Sequence, residues 1–234
     1  MRLLITRPAE DGERSAAALR ARGHQVLLAP LLRIEPIADV DLGATDYAAI
    51  LMSSANAARA IAPHPRMRDL MTRPVLAVGA STANAARAAG FLEVQSADGN
   101  ARDLGRLAAA RFSGSRAPLL YLTGDERARD LADDLPNVPV RTVVVYRAVK
   151  IAALPPNVRD ALLTGTLDGV LHFSLRSAEV FVACAKAAGL LDKALALFHY
   201  CLSPRVAGAL AGAAEIRIAA RPDEAALLDL VATR

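Results

Sequence analysis

The sequence has no tryptophan, and aromatic residues make up only 4% of its 234 positions. A flavin is held most readily between aromatic rings, so a flavin-binding reading lacks its usual support. Neither G-x-G-x-x-G nor G-x-x-x-x-G-K-S/T occurs, so the glycine-rich cradle of dinucleotide and P-loop sites is missing. No uncharged apolar run approaches the roughly 18 residues of a membrane-spanning helix. The only cysteines, Cys184 and Cys201, sit in apolar contexts and form no short-spaced pair. Two buried free thiols in a reducing compartment are expected, not a disulfide. Histidines are also few. His24 follows Gly23 and His64 stands between Pro63 and Pro65, so both read as surface loop. His172 and His199 lie in or beside apolar runs and read as core imidazoles. No pair has metal-ligand spacing, so no metal site is expected.

Charge is nearly balanced, with 28 Lys and Arg against 24 Asp and Glu for a formal +4. That is well short of a nucleic-acid-binding balance. It suits an acidic small-molecule substrate, or no charged partner at all. The first residues reach Glu10 and Asp11 before a signal-peptide core can form. A cytoplasmic, soluble monomer without nucleic-acid or membrane partners is expected.

What is present is apolar aliphatic side chain. Hydrophobic residues are 53% of the chain, a composition of parallel sheets covered by Ala-rich helices. One pattern recurs: a short apolar run ends in a hydroxyl or Gly, and an Ala/Arg-rich helical stretch follows. It appears at Leu3–Thr6, Ile50–Ser54, Val75–Gly79 (continuing to Thr82), Leu119–Gly124, Val170–Ser174 and Tyr200–Ser203. Such runs read as strands buried on both faces, and the hydroxyl is placed to cap the next helix. Strand–helix alternation implies parallel pairing through right-handed crossovers. Ser54 and Thr82 are separated about as far as Ser174 and Ser203, which suggests two lobes of the same architecture.

Two segments break the pattern: Leu32–Ile37, interrupted by Pro36, and the β-branched stretch Arg141–Val149. Taken as crossing points, they divide the chain into a discontinuous α/β lobe, 1–31 plus 150–234, and a continuous one, 38–142. Residues 32–37 and 143–149 then form connector strands, and each lobe is a five-stranded, flavodoxin-like sheet.

Parallel α/β sheets bind ligands outside the carboxyl ends of their strands. Thr6, Ser53, Ser54, Thr82, Thr123, Gly124, Ser174 and Ser203 fall at such ends, where helix N-termini favour carboxylates. Each hydroxyl taken alone reads best as a cap for its own helix; the whole set favours a binding role as well. Arg7, Arg127, Arg129, Arg147, Arg176 and Arg205 stand beside these ends and could pair bidentately with carboxylates. Arg7, locked before Pro8, is best placed.

The ordered set of motifs resembles the uroporphyrinogen-III synthase family across about residues 2–230. The matching pieces are Ile5-Thr6-Arg7-Pro8, Ser53–Arg59, Val78–Ala83, Leu122–Asp125, Val145–Ala148 and His172–Ala178. The resemblance implies two flavodoxin-like lobes joined by a two-stranded antiparallel connector. It implies a hydro-lyase acting on hydroxymethylbilane, a linear tetrapyrrole with eight carboxylates. Water is lost, the terminal ring is inverted through a spiro intermediate, and the macrocycle closes without metal or organic cofactor. Substrate contacts fall at Thr6, Arg7, Ser53, Ser54, Thr82, Thr123, Gly124, Ser174, Arg176 and Ser203. The chain departs from the family pattern at Leu175, where proline is common, and at Arg205 and Val206, after Pro204, where threonine is usual.

Tyr146 is the candidate catalytic residue. Without the resemblance it reads as a ring packed in the connector; with it, as a phenol that hydrogen-bonds the departing hydroxyl. Strand alternation puts Tyr146 and Val144 on one side and Val145 on the other. The competing function is a non-catalytic ligand-binding or regulatory protein of the same two-lobed fold.

Overall fold

The apolar runs become strands. The computed structural model describes residues 1–43, 46–125 and 131–231. The chain opens with β1 (Arg2–Ile5), α1 (Ala9–Ala21), β2 (Gln25–Leu28) and β3 (Leu32–Pro36). It continues through β4 (Ala49–Met52), α2 (Ala55–Ile61), α3 (Met67–Leu70), β5 (Val75–Ala77) and α4 (Ala80–Ala88). Next are β6 (Val94–Ser96), α5 (Ala101–Phe112), β7 (Leu119–Gly124), a 3-10 turn (Leu131–Asp134) and the long β8 (Val140–Lys150). Then come α6 (Pro156–Leu163), β9 (Gly169–His172), α7 (Leu175–Ala187) and α8 (Leu191–Leu195). Last are β10 (Phe198–Cys201), α9 (Pro204–Ala207), β11 (Glu215–Ile218) and α10 (Glu224–Asp229). The chain divides into two compact units: Met1–Arg33 with Val149–Arg234, and Ile34–Ala148.

The first unit holds a five-stranded sheet, β11-β10-β9-β1-β2, with every pairing parallel. β1 is buried on both faces, which is why its apolar run does not alternate with polar residues. Leu3 and Ile5 pack with Ala16, Leu19, Leu227 and Leu228 of α1 and α10; Leu4 packs with Val158, Phe181 and Ala185 of α6 and α7. Each such leucine contributes about 1.5–3 kcal/mol through burial. The second unit repeats the arrangement around β4. Ile50 and Met52 meet α2 and α4 through Ala57, Ile61 and Ala86, and Leu51 meets Leu104 and Ala108 of α5.

The strand order of the second unit corrects the expectation of one shared architecture. Its sheet runs β3-β8-β7-β4-β5-β6, parallel from β8 to β6. Numbered within each unit, the parallel strands are ordered 2-1-3-4-5 in the first and 3-2-1-4-5 in the second. Both are doubly wound orders. They differ in whether the chain crosses back over its first strand after two strands or after three.

β8 does more than the connector role expected of residues 143–149. From Val140 to Tyr146 it is the parallel neighbour of β7. Register slips at the end of this pairing: Thr123 faces Val144 but Gly124 faces Tyr146, so Val145 is the extra residue of a bulge. The expected alternation is therefore corrected, because Val143, Val145 and Tyr146 all pack against the same cluster. β3 lies on the other side of β8. The Ile37 N–H donates to the Val145 carbonyl at 2.9 Å, and the Ile151 N–H donates to the Leu31 carbonyl at 3.0 Å. Pro36, which lacks an N–H, is tolerated because β3 is an edge strand.

Both cysteines are buried and unbridged, and burial raises the Cys201 thiol to about 11. His24 is not surface loop: it is 7% exposed, and its Nδ1 lies 3.5 Å from the Met1 amine. The turn at Gly23, with φ of 83°, folds it back against the start of β1. His64 is half-buried, its Nε2 bonding the Val40 carbonyl at 3.1 Å. No helix among the described residues is long and apolar enough to cross a membrane.

Candidate functional site

In each unit the strand order reverses at one crevice, and part of the expected set stands at its carboxyl-end mouth. In the first unit the crevice lies between β1 and β9, so Thr6 and Arg7 stand beside Phe173 and Ser174. In the second it lies between β4 and β7, so Ser53 and Ser54 stand beside Thr123 and Gly124. A reversal point leaves the loops of neighbouring strands diverging to opposite faces, which opens room for a ligand.

Three of the expected caps are caps. Ser54 accepts from the Asn56 N–H at 3.2 Å. Ser174 accepts from the Ser177 N–H at 3.1 Å, and Ser203 accepts from the Val206 N–H at 3.4 Å. Each therefore satisfies an otherwise unpaired donor of a first helical turn. Three others are not caps. Thr6 is fully buried, and its Oγ1 has no hydrogen-bond partner among the described residues. Thr123 is a buried strand residue of β7. Thr82 lies within α4, whose N-cap is Gly79, so the expectation that it opens a helix is corrected.

Arg7 is the largest surprise. Its guanidinium is held by its own unit: Nη2 is 3.5 Å from Asp11 Oδ2, and Nη1 is 3.3 Å from Glu224 Oε2. Nη1 also donates to Ser15 Oγ at 3.0 Å, and Cζ stands 4.2 Å from the Phe173 ring centroid. Burial lowers its pKa, and the charges of Glu224 and Asp11 oppose that effect. An arginine so enclosed has little capacity left for a ligand carboxylate. Arg176 is the second residue of α7 and half-buried, while Arg147 and Arg205 are exposed. Arg127 and Arg129 lie outside the described residues.

Tyr146 sits beside the second unit's crevice. Its ring lies over Gly124 so closely that a Cβ there would fall 2.7 Å from its Cζ and 3.0 Å from its hydroxyl. The glycine is thus a steric requirement of the ring's placement, and the bulge at Val145 aims the ring there. On the other face of β7, the Tyr121 hydroxyl shares a 2.8 Å hydrogen bond with Ser53 Oγ. Tyr121 belongs to none of the candidate sets above, although its alternation with Thr123 in Leu119–Gly124 is a usable signal.

Behind the first crevice, His172 Nε2 is 3.0 Å from His199 Nδ1, and His199 Nε2 is 3.1 Å from the Ala194 carbonyl. His199 must donate to that carbonyl, so its Nδ1 accepts and His172 donates. Both rings are neutral. Burial, and secondarily the neighbouring His199, pushes His172 down to about 3. Among the described residues no group of three or more His, Cys, Asp or Glu could hold a metal ion.

A family model described as uroporphyrinogen-III synthase HemD matches residues 13–229. Among functionally curated proteins none matches the chain. A uroporphyrinogen-III synthetase structure from Helicobacter pylori 26695 is similar at 18% identity, covering 98% of each chain with a TM-score of 0.67. A mutant uroporphyrinogen III synthase from the extremely thermophilic bacterium Thermus thermophilus is similar at 19% identity, covering 97% of this chain and 96% of that one, with a TM-score of 0.53. At such identities the structural likeness concerns the fold.

Proposed function

The chain belongs to the uroporphyrinogen-III synthase family, and we propose that it converts hydroxymethylbilane to uroporphyrinogen III by ring inversion, loss of water and closure. The observation that carries this reading is the family match over residues 13–229. Nothing in the comparisons favours the non-catalytic alternative. We read the two units as the family's lobes, the first flavodoxin-like in strand order. The reversed order of the two bonds between β3 and β8 supports an antiparallel connector.

The substrate's carboxylates need donors held in place. Ser54, Ser174 and Ser203 each accept a helical N–H with a lone pair, which does not use the hydroxyl proton. The Ser174 hydroxyl also shares a 2.9 Å hydrogen bond with Ser177 Oγ, and Ser174 can donate to a ligand when Ser177 is the donor in that bond. Capping and binding are therefore compatible, and the helix N-termini add the positive ends of their dipoles. We assign Ser53, Ser54, Ser174 and Ser203 as substrate contacts, with Arg176 beside them. Arg7 is left out because its charge is matched internally, and Thr82 because it is buried within α4.

Loss of a hydroxyl from a carbon beside an electron-rich pyrrole is easy, since the ring's electrons stabilise the cation left behind. The protein need supply only orientation and a hydrogen-bond donor. We assign the donor to Tyr146, and we read the reaction as needing no metal or organic cofactor.

Freshly made hydroxymethylbilane given to the purified protein should yield the type III isomer, identified by chromatography of the oxidised products. Type I alone, which forms spontaneously, would remove the enzymatic reading. A second result is expected at Gly124. Gly124→Ala must push the Tyr146 ring aside, because the new methyl meets Cζ at 2.7 Å and Cε2 at 2.8 Å. The clash is with the far end of a side chain, so the fold should survive. Turnover should fall severalfold; unchanged turnover with a folded variant would show that the ring's placement is immaterial.

A further inference from the structure

The ion-pair cluster around Glu224 has no part in the chemistry above, yet it reaches a turn that does. Glu224 is the first residue of α10, the last helix. Its Oε1 accepts from the Ser15 hydroxyl at 2.5 Å, and its Oε2 lies 3.0 Å from Arg14 Nη2 and 3.3 Å from Arg7 Nη1. Burial opposes ionisation of this carboxyl, but the Ser15 hydroxyl, Arg7 and Arg14 outweigh burial and hold it below the usual range. Arg7 itself is only 15% exposed. Its guanidinium is pinned by Glu224, Asp11 and Ser15, with Cζ over the Phe173 ring.

Phe173 joins the fully buried His172, the last residue of β9, to Ser174, the cap of α7. A guanidinium held at three points cannot follow the ring if the ring moves. The pinned cation therefore fixes the turn from which Ser174 and Arg176 project. A surface ion pair would contribute little and be screened by salt; this one is partly enclosed and bonded on several sides.

We propose that Glu224 is a positioning residue for the substrate-binding turn at the carboxyl end of β9, acting through Arg7 on Phe173 and Ser174. The proposal rests on the assignment of hydroxymethylbilane as substrate.

The test is steady-state kinetics on wild type, Glu224→Gln, Glu224→Asp, Arg7→Gln and the double variant Glu224→Gln/Arg7→Gln, with a melting curve for each. Misplacing a binding group by about 1 Å can cost about 10²-fold. Glu224 acts through an intermediary, so KM for Glu224→Gln should rise about tenfold, with kcat falling less than KM rises. Glu224→Asp, which keeps the charge on a shorter stem, should recover part of the loss. Because the two residues act in series, the double variant should resemble Arg7→Gln alone. Should Glu224→Gln not fold, a smaller upward shift in KM is read from Glu224→Asp, whose shorter stem draws the carboxylate away from Arg7. A KM unchanged in folded variants, with only the melting temperature lowered, would overturn the proposal, as would fully additive effects in the double variant. Wild type that gives only type I product would remove the substrate assignment and this proposal together. Normal wild-type product with an unshifted KM would sink this proposal alone.

Discussion

Tyr146→Phe should lower kcat for hydroxymethylbilane about tenfold to hundredfold, at or below the low end of the about 10²–10⁴-fold that a single proton-transferring group contributes. The low end is expected because the leaving hydroxyl departs from a carbon that the pyrrole already activates. The structure makes this substitution a clean one. The ring lies over Gly124 and packs against the cluster that includes Met52, Leu122 and Val145, and phenylalanine retains all of that surface. Only the hydroxyl is lost. One hydrogen bond contributes about 1 kcal/mol, which in a protein of this size shifts the melting temperature by about 2–4 °C. Turnover and melting temperature should therefore separate: a large fall in the first and a small change in the second. Full activity in a folded Tyr146→Phe would take the phenol out of the mechanism and leave orientation by the strand-end donors. Lost activity together with a collapse in melting temperature would instead mark a packing role.

Acid should unfold the first unit through its buried imidazoles. His172 titrates at about 3 in the folded protein, driven first by burial and then by His199; an unfolded histidine titrates near 6.5. Between those values the unfolded chain binds more protons than the folded one, so stability rises with pH. The stabilisation is fully present above pH 6.5 and is lost as pH falls toward 3. The full shift corresponds to about 4–5 kcal/mol for this one group at about 1.4 kcal/mol per pH unit. His199 is lowered too, mainly by burial, and adds in the same direction. A proton on His199 Nδ1 would set two N–H groups against each other across a 3.0 Å contact. Urea unfolding followed from pH 7.5 to pH 4.5 should show this slope, and His172→Gln should flatten it. His24, also lowered by burial and by the nearby N-terminal amine, titrates in the same window, so the variant is the deciding comparison. A slope identical in wild type and His172→Gln would clear the pair of any part in acid unfolding.

Much of the candidate site was readable because it is built from short-range geometry. A cap bond spans two or three residues, so Ser54, Ser174 and Ser203 announced the starts of α2, α7 and α9 by themselves. Continuous runs such as Leu3–Ile5 and Ala49–Met52 declared strands buried on both faces, since no polar side was left to face water. Thr82 was misjudged because Gly79 and Ala80 could begin the helix earlier, and nothing local distinguishes the two starts.

The amino-acid sequence by itself determined the strand–helix alternation, the parallel sheets and the hydroxyls at strand ends, because each depends on neighbours within a turn or a strand. Tertiary structure alone decided the rest. The bulge that turns Tyr146 onto Gly124 exists only in the register between β7 and β8. His172 is neutral first because the packed layers bury it and then because His199, 27 residues away, lies beside it across the pairing of β9 with β10. Arg7 reads in the sequence as the arginine best placed beside a strand end for a ligand carboxylate; its partner Glu224 arrives from the last helix. Strand order, too, differs between the two units although their local patterns match. Contacts between distant segments are set by packing of whole layers, and no short stretch of chain carries that information.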